Sequence, residues 1–229
     1  MVTTTADQIN PSPMTAIIYG APGMGKTTVL GHLPGRTLVF DVDRTTGVLK
    51  DMPNAGNIAI CYVNNIDTWN NWNSILLEVV QDWKGQYDNI CIDNISELER
   101  CILSSLGKAG KNNGIPSQAD YQFMQFKIVN SLRYLKTLGI NLIWTAWEAV
   151  EDFQTPEGQI FNRYAPQINR KINNNICGLC NVVGRMAIKE DGTRGILFSA
   201  TNSMYAKNQY DSRKGCLQSD MLARQDQKV

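Results

Sequence analysis

The chain has 229 residues, 43% hydrophobic and 19% charged, with 22 Lys and Arg against 21 Asp and Glu for a net charge of +1. These values exclude disorder along the whole length and suit one well-buried α/β core better than two domains. They also exclude a bulk electrostatic pull on nucleic acid, so any basic surface has to be local. No run approaches the roughly 18 apolar residues that a membrane helix requires. The segment MVTTTADQINPSP lacks the charged start and apolar run of a secretory signal, so a cytoplasmic location and no membrane partner are expected.

In chain order, the polar residues 1–13 are expected to form a flexible tail. TAIIY (15–19) has the composition of a buried strand, followed by a Gly-rich loop and a helix from about Lys26 to Leu33. TLVFDVD (37–43) and NIAICYV (57–63) are the next strands. A helix over 68–83 follows, with Asp67 as its cap and Trp69, Trp72, Ile75 and Leu76 on one face. NICID (89–93) is a strand, ISELERCILSSL (95–106) a helix, and GKAGKNNGIPSQ (107–118) a mobile loop. A helix over 119–138 leads into the strand INLIWTA (140–146). VVGRMAI (182–188) and RGILFSA (194–200), joined by KEDGT, form a β-hairpin extending the sheet. Strand–helix alternation of this kind requires a mainly parallel central sheet flanked by helices. One domain over 14–212 is expected, with 213–229 a tail or short helix.

GAPGMGKT (20–27) matches the pattern G-x-x-x-x-G-K followed by Ser or Thr, between an apolar strand and a helix. Gly20, Ala21, Pro22, Gly23, Met24, Gly25, Lys26, Thr27 and Thr28 therefore form the expected cradle for the phosphates of ATP. Glycines let successive backbone N–H groups converge on an anion. Lys26 supplies a compact positive charge, the Thr27 hydroxyl suits Mg²⁺, and a helix start adds its dipole. A Mg²⁺–ATP site adds a carboxylate at the end of a neighbouring strand, and Asp93, closing NICID, fits that position. Asp93 also suits the start of the next helix. Asp41 and Asp43 end the second strand, expected to lie near the first. Asp43 is the better candidate to polarise an attacking water, or else a solvated loop acid paired with Arg44.

With these motifs in order, the chain resembles the RecA-like P-loop ATPases, most closely the small versions encoded by bacteriophages beside recombination genes. The likeness covers about 14–212 and rests on GAPGMGKT, FDVD (40–43), NICID, NLIWTAW (141–147) and MYAKNQYDS (204–212). It implies a RecA-like fold, ATP hydrolysis between subunits of a homo-oligomer, single-stranded DNA as a partner, and contacts with phage recombination or replication proteins. Lys26 and Thr27 keep their phosphate and Mg²⁺ roles, Asp93 the metal role, and Asp43 stands where the family carries a glutamate base. Lys207 falls on a lysine that reaches the γ-phosphate of the adjacent subunit. Two departures imply slow or assembly-dependent hydrolysis. Gln209 replaces a second basic residue, and Trp147 replaces a polar strand-end sensor for which Thr145 is the nearest substitute. The family's first DNA loop corresponds to 107–118, with Lys108 and Lys111. The second corresponds to about 148–165, where Glu148, Glu151, Asp152 and Glu157 outweigh Arg163. Arg170, Lys171, Arg213 and Lys214 offer another basic path, or simply a solvated face.

Two other classes remain. One is a nucleotide-gated protein-binding module with little turnover. The other is a small P-loop kinase, against which stands the lack of an Arg-rich lid. CGLC (177–180) has metal-site spacing, but a structural zinc needs four ligands and the one histidine, His32, lies by the P-loop helix. Cys177 and Cys180 are read as small buried residues, and Trp69 and Trp72 as core or a partner-binding face.

Overall fold

The computed structural model describes Thr5, Gln8, residues 12–83 and residues 85–223. Most of the expected N-terminal tail therefore lies outside the described residues. The elements are β1 (Thr15–Tyr19), α1 (Lys26–Leu30), β2 (Thr37–Asp41), β3 (Ile58–Tyr62), α2 (Thr68–Gln81), β4 (Asn89–Asp93), α3 (Ile95–Ala109), α4 (Gln118–Lys136) and β5 (Asn141–Ala146). Then come β6 (Glu148–Gln154), β7 (Ile160–Pro166), α5 (Arg170–Leu179), β8 (Val182–Ile188), β9 (Arg194–Leu197), β10 (Lys207–Asn208) and β11 (Gly215–Leu217).

A nine-stranded sheet runs β11-β9-β8-β1-β5-β4-β2-β3, with β10 also paired to β8. Strands β3, β2, β4, β5, β1 and β8 are parallel, while β9 and β10 run against β8. Residues alternate in β1 between two cores. Ile17 and Tyr19 enter one, with Trp72 of α2, Leu98 of α3, Leu132 of α4 and Ile176 of α5. Ala16 and Ile18 enter the other, with Val29, Leu30, Leu49, Phe198 and Met221. Helices α2, α3, α4 and α5 crowd one face, and α1 with the P-loop segment and the last described residues cover the other. Strand lengths bring the C-terminal ends of β1, β5, β4 and β2 level, since Tyr19 pairs with Ala146, Ile92 with Trp144 and Asp41 with Asp93.

Side-chain caps set the starts of two long helices. Asn94 accepts from the Glu97 N–H at 2.8 Å at the start of α3, and Ser117 with Asp120 forms a capping box on α4. Trp72 is fully buried and donates to Ser131 of α4 at 3.1 Å, while Trp69 packs edge-on against Phe123 with centroids 5.1 Å apart. Trp72 therefore belongs to the core and is no part of a partner-binding face.

Two segments depart from the sequence expectations. The stretch 148–165 is a regular antiparallel hairpin of β6 and β7 rather than a loop, turned through Thr155 and Gly158, the latter at φ 88°. Residues 214–223 pack onto the domain and include a short 3-10 helix (Gln218–Asp220), in keeping with a short helix rather than a tail there. β11 pairs with β9, and the next turn packs Met221 into the core. Helix α1 is shorter than expected and closes on Gly31, whose N–H bonds Thr28 and Val29, ahead of Pro34. The hairpin expected over 182–200 is present, and its first strand pairs in parallel with β1.

Glu99 of α3 is buried against the start of α5. One carboxylate oxygen accepts the Asn169 N–H at 2.9 Å, and the other has no partner. Burial raises its carboxyl from 4.5 to about 7, against the lowering effect of the Asn169 bond. A raised acid binds its proton more tightly when folded, so stability is expected to fall as pH rises between about 4.5 and about 7. Glu99→Gln keeps the acceptor for Asn169 and removes the charge. Urea unfolding should show the variant more stable than the unaltered chain at pH 8, by up to about 3 kcal/mol. The two should converge near pH 4, and a parallel pH dependence in both would contradict this assignment.

Candidate functional site

The backbone leaving β1 turns through Gly23 at φ 79° and Gly25 at φ 92°, both in the left-handed region that favours glycine. From Gly20 to Gly25 the chain curls around the side chain of Lys26. Lys26 Nζ donates to the carbonyls of Gly20 at 2.9 Å and Ala21 at 3.0 Å. Burial lowers the Lys26 ammonium from its ordinary value, with Asp93, Asp43 and Glu148 acting in the opposite direction. A half-buried cation whose bonds go only to neutral carbonyls is poised for an anion.

Thr27 is tied to the sheet. Its hydroxyl donates to Asp93 Oδ2 at 2.7 Å, and the other oxygen of Asp93 accepts from the Thr145 hydroxyl of β5. The level strand ends explain this meeting, because Asp93 closes β4 where Thr145 nears the end of β5. Burial raises the Asp93 carboxyl, the two threonine bonds lower it, and the net direction is upward.

Asp43 lies just past β2 and half-buried, and β2 stands beyond β5 and β4 from β1 rather than beside it. Asp43 nevertheless faces the loop. It accepts from Asn94 Nδ2 at 2.5 Å and from Thr45 Oγ1 at 2.6 Å. Arg44 does not pair with it; its guanidinium sits 4.4 Å from the Tyr62 ring centre and donates to the Val63 carbonyl. Asp41 is fully buried and clamps the turn by accepting from the Arg44 N–H at 2.7 Å and the Thr46 hydroxyl at 2.6 Å.

Gly23, Gly25, Lys26, Thr27, Asp43, Thr45, Asp93 and Asn94 line one cleft of about 390 Å³ with Pro22, Thr28, Val48, Trp147 and Arg194. Trp147 is held by Arg100, whose guanidinium lies 4.7 Å from its ring centre. Asn94, Thr45 and Arg194 are cleft residues that the sequence motifs do not flag. Asn94 follows Asp93 directly and, rather than Asp93, caps α3, whereas Arg194 is distant in sequence and arrives through the β8–β9 hairpin.

Other candidates lie elsewhere. Lys207 sits near the opposite end of the sheet, where it donates to the carbonyls of Cys180 at 2.7 Å, Gly178 at 3.2 Å and Cys177 at 3.4 Å. It closes the end of α5 in its own chain. His32 occupies the turn after α1. Cys177 and Cys180 are buried thiols, and burial pushes Cys177 up to about 12. Arg213 is buried and paired with Asp211 at 2.7 Å, which removes it from the proposed basic path.

The parallel sheet, the glycine-turned loop after its first strand and the acid at the rim define a P-loop α/β domain of the RecA-like kind. A family model described as "AAA domain" matches residues 12–210, and the chain belongs to that family of P-loop ATPase domains. No curated protein matches the chain. One similar solved structure is a KaiC-like protein from the hyperthermophilic archaeon Pyrococcus horikoshii OT3, 15% identical over 82% of this chain and 78% of that one, with a TM-score of 0.44. The fold assignment is carried by the strand order and the loop. No described helix is long and apolar enough to cross a membrane.

Thr145→Val keeps the side chain's shape and deletes the donor to Asp93, leaving a buried carboxylate oxygen unpaired. Stability without nucleotide should drop by about 1–3 kcal/mol. An unchanged urea midpoint at pH 7 would contradict a structural role for this bond.

Proposed function

We propose that the chain binds Mg²⁺–ATP in this cleft and hydrolyses it slowly, as an oligomer that acts on single-stranded DNA. The observation that carries the nucleotide reading is the convergence of Lys26, Thr27, Asp93 and Asp43 on one cleft. The donor set suits Mg²⁺. Thr27 and Asp93 offer one hydroxyl and one carboxylate, and no cluster of three or more His, Cys, Asp or Glu suited to a metal occurs among the described residues. Mg²⁺ characteristically takes few protein ligands and completes its shell with water and phosphate oxygens. When bound it would neutralise charge on the phosphates.

The chain's own residues do the rest. The loop backbone and Lys26 grip the phosphate tail. Asp43, oriented by Asn94 and Thr45, would align a water and take its proton. Turnover is expected to be slow for two reasons. The Thr145 hydroxyl is committed to Asp93, so it is not free to replace the polar sensor, and Trp147 fills that region of the cleft. Lys207 would have to act on a neighbouring copy, since it lies away from its own P-loop.

The hairpin β6–β7 is less acidic in effect than its composition suggests. Glu148 pairs with Arg185 at 2.7 Å and Glu151 with Arg163 at 2.6 Å, leaving Asp152 and Glu157 outward. Lys108, Lys111, Arg170 and Lys171 are exposed and support a local path for phosphates. A role in phage-type recombination or annealing, with partner proteins of that pathway, is the reading these features fit. The commitment of Thr145 also favours a second reading, a nucleotide-gated binding module with little turnover.

Phosphate release measured against protein concentration and single-stranded DNA together separates these readings. Activity per subunit should rise with concentration and again with DNA, and disappear in Lys26→Ala. A rate near background that is indifferent to both, with ATP still bound, would leave the module as the surviving reading.

A further inference from the structure

Arg194 is an exposed arginine placed over a phosphate-type loop, with no ion-pair partner among the described residues. Register explains its position. Tyr19 at the end of β1 pairs with Arg185, and β8 runs on to Ile188, which pairs with Arg194. The hairpin thus carries Arg194 past the rim where the P-loop begins, at about 3.3 Å per residue. A Cβ placed on Gly25 would lie 3.1 Å from Arg194 Cδ and 3.5 Å from its Nε, so the side chain lies directly against the loop. The residue lines the same cleft as Lys26, Thr27 and Thr28. Among the described residues no carboxylate lies within ion-pair distance of it, although Arg163, Arg185 and Arg213 each have one.

A second contact from the same region makes this a built arrangement. Strand β11 pairs with β9, and the following residue, Gln218, is buried and donates to the Gly25 carbonyl at 2.6 Å. The same Cβ on Gly25 would stand 2.8 Å from Gln218 Nε2. Close backbone packing fixes the strands between, because a Cβ on Gly195 would meet the Cys216 carbonyl at 2.8 Å. Charge gives the arrangement a purpose. Of the side chains that line the cleft, Lys26 stands against Asp43 and Asp93, so Arg194 is the one other cation that the chain itself brings to a polyphosphate there, besides any Mg²⁺.

We propose that Arg194 is a phosphate-binding residue that acts within its own chain, closing the P-loop from the β8–β9 hairpin, with Gln218 holding the loop in register. This rests on the nucleotide reading above, and names a contact outside the P-loop motif. The ligand class is a nucleoside di- or triphosphate held by its phosphates, and the guanidinium fork is suited to two phosphate oxygens at once.

Calorimetric titration with ATP, ADP and adenosine tests it on the full chain, using the unaltered protein, Arg194→Ala, Arg194→Lys and Lys26→Ala. Arg194→Ala should weaken ATP and ADP roughly ten- to hundredfold, in line with a lost charge-assisted bond, and leave adenosine unchanged. Arg194→Lys should recover part of the loss. The thermal midpoint without nucleotide should stay the same in Arg194→Ala, which separates ligand contact from folding. Undiminished ATP affinity in Arg194→Ala, with binding lost in Lys26→Ala, would overturn this inference and leave the nucleotide reading standing. An equal loss for adenosine would overturn the phosphate assignment. No ATP binding by the unaltered protein would overturn both.

Discussion

A single hydrogen-bonded chain, from Thr27 through Asp93 to Thr145, joins the P-loop to two strands of the sheet. It links β4, β5 and the start of α1 at the rim where the parallel strands end, and thereby fixes where the loop stands relative to every other cleft residue. Asp93 can occupy this buried position only because both oxygens receive donors. A buried carboxylate lacking them would be costly, and burial already raises its carboxyl. The same junction places Asn94 next in the chain, so its amide reaches Asp43 while its carbonyl oxygen caps α3. One strand end thus sets the loop, the acid opposite it and the helix behind.

The sheet is covered unequally, and that asymmetry shapes the site. Four helices bury one face around Trp72 and Trp144, which gives the rigid base against which the rim is held. The other face is covered by the short α1, the turn after β2 and the last described residues. Because α1 has so few residues, a phosphate bound here would depend on loop amides and the Lys26 charge rather than on a long helix dipole. The β8–β9–β11 extension completes the cover on this side, which is why residues far along the chain come to touch Gly25.

Much of this was legible in the sequence wherever local chemistry decides conformation. The apolar runs before and after GAPGMGKT gave β1 and β4 with their observed limits, since a strand buried on both faces reads as an unbroken hydrophobic stretch. Asp93 was legible because an acid ending such a strand is conspicuous. Strand order was not: β5 and β4 stand between β1 and β2, a matter of crossover connections that composition does not encode. The β6–β7 hairpin was hidden because its apolar residues fall in adjacent pairs (Ala149–Val150, Ile160–Phe161, Tyr164–Ala165) rather than in alternation, and its strands pair with each other outside the main sheet. Arg194, Gln218 and the commitment of Thr145 depend on contacts between distant segments, for which no local pattern exists. Arg213 illustrates the converse, a charge that looks solvent-facing in sequence yet is enclosed by Asp211 and two backbone carbonyls.

The account stands on the loop gripping a triphosphate. Isothermal titration of the full chain with ATP and Mg²⁺ tests that most directly. The geometry predicts one site per chain, with heat that vanishes in Lys26→Ala while the unfolding transition of the nucleotide-free protein is kept. Absence of heat with every nucleoside triphosphate tried, from a chain shown to be folded, would contradict it.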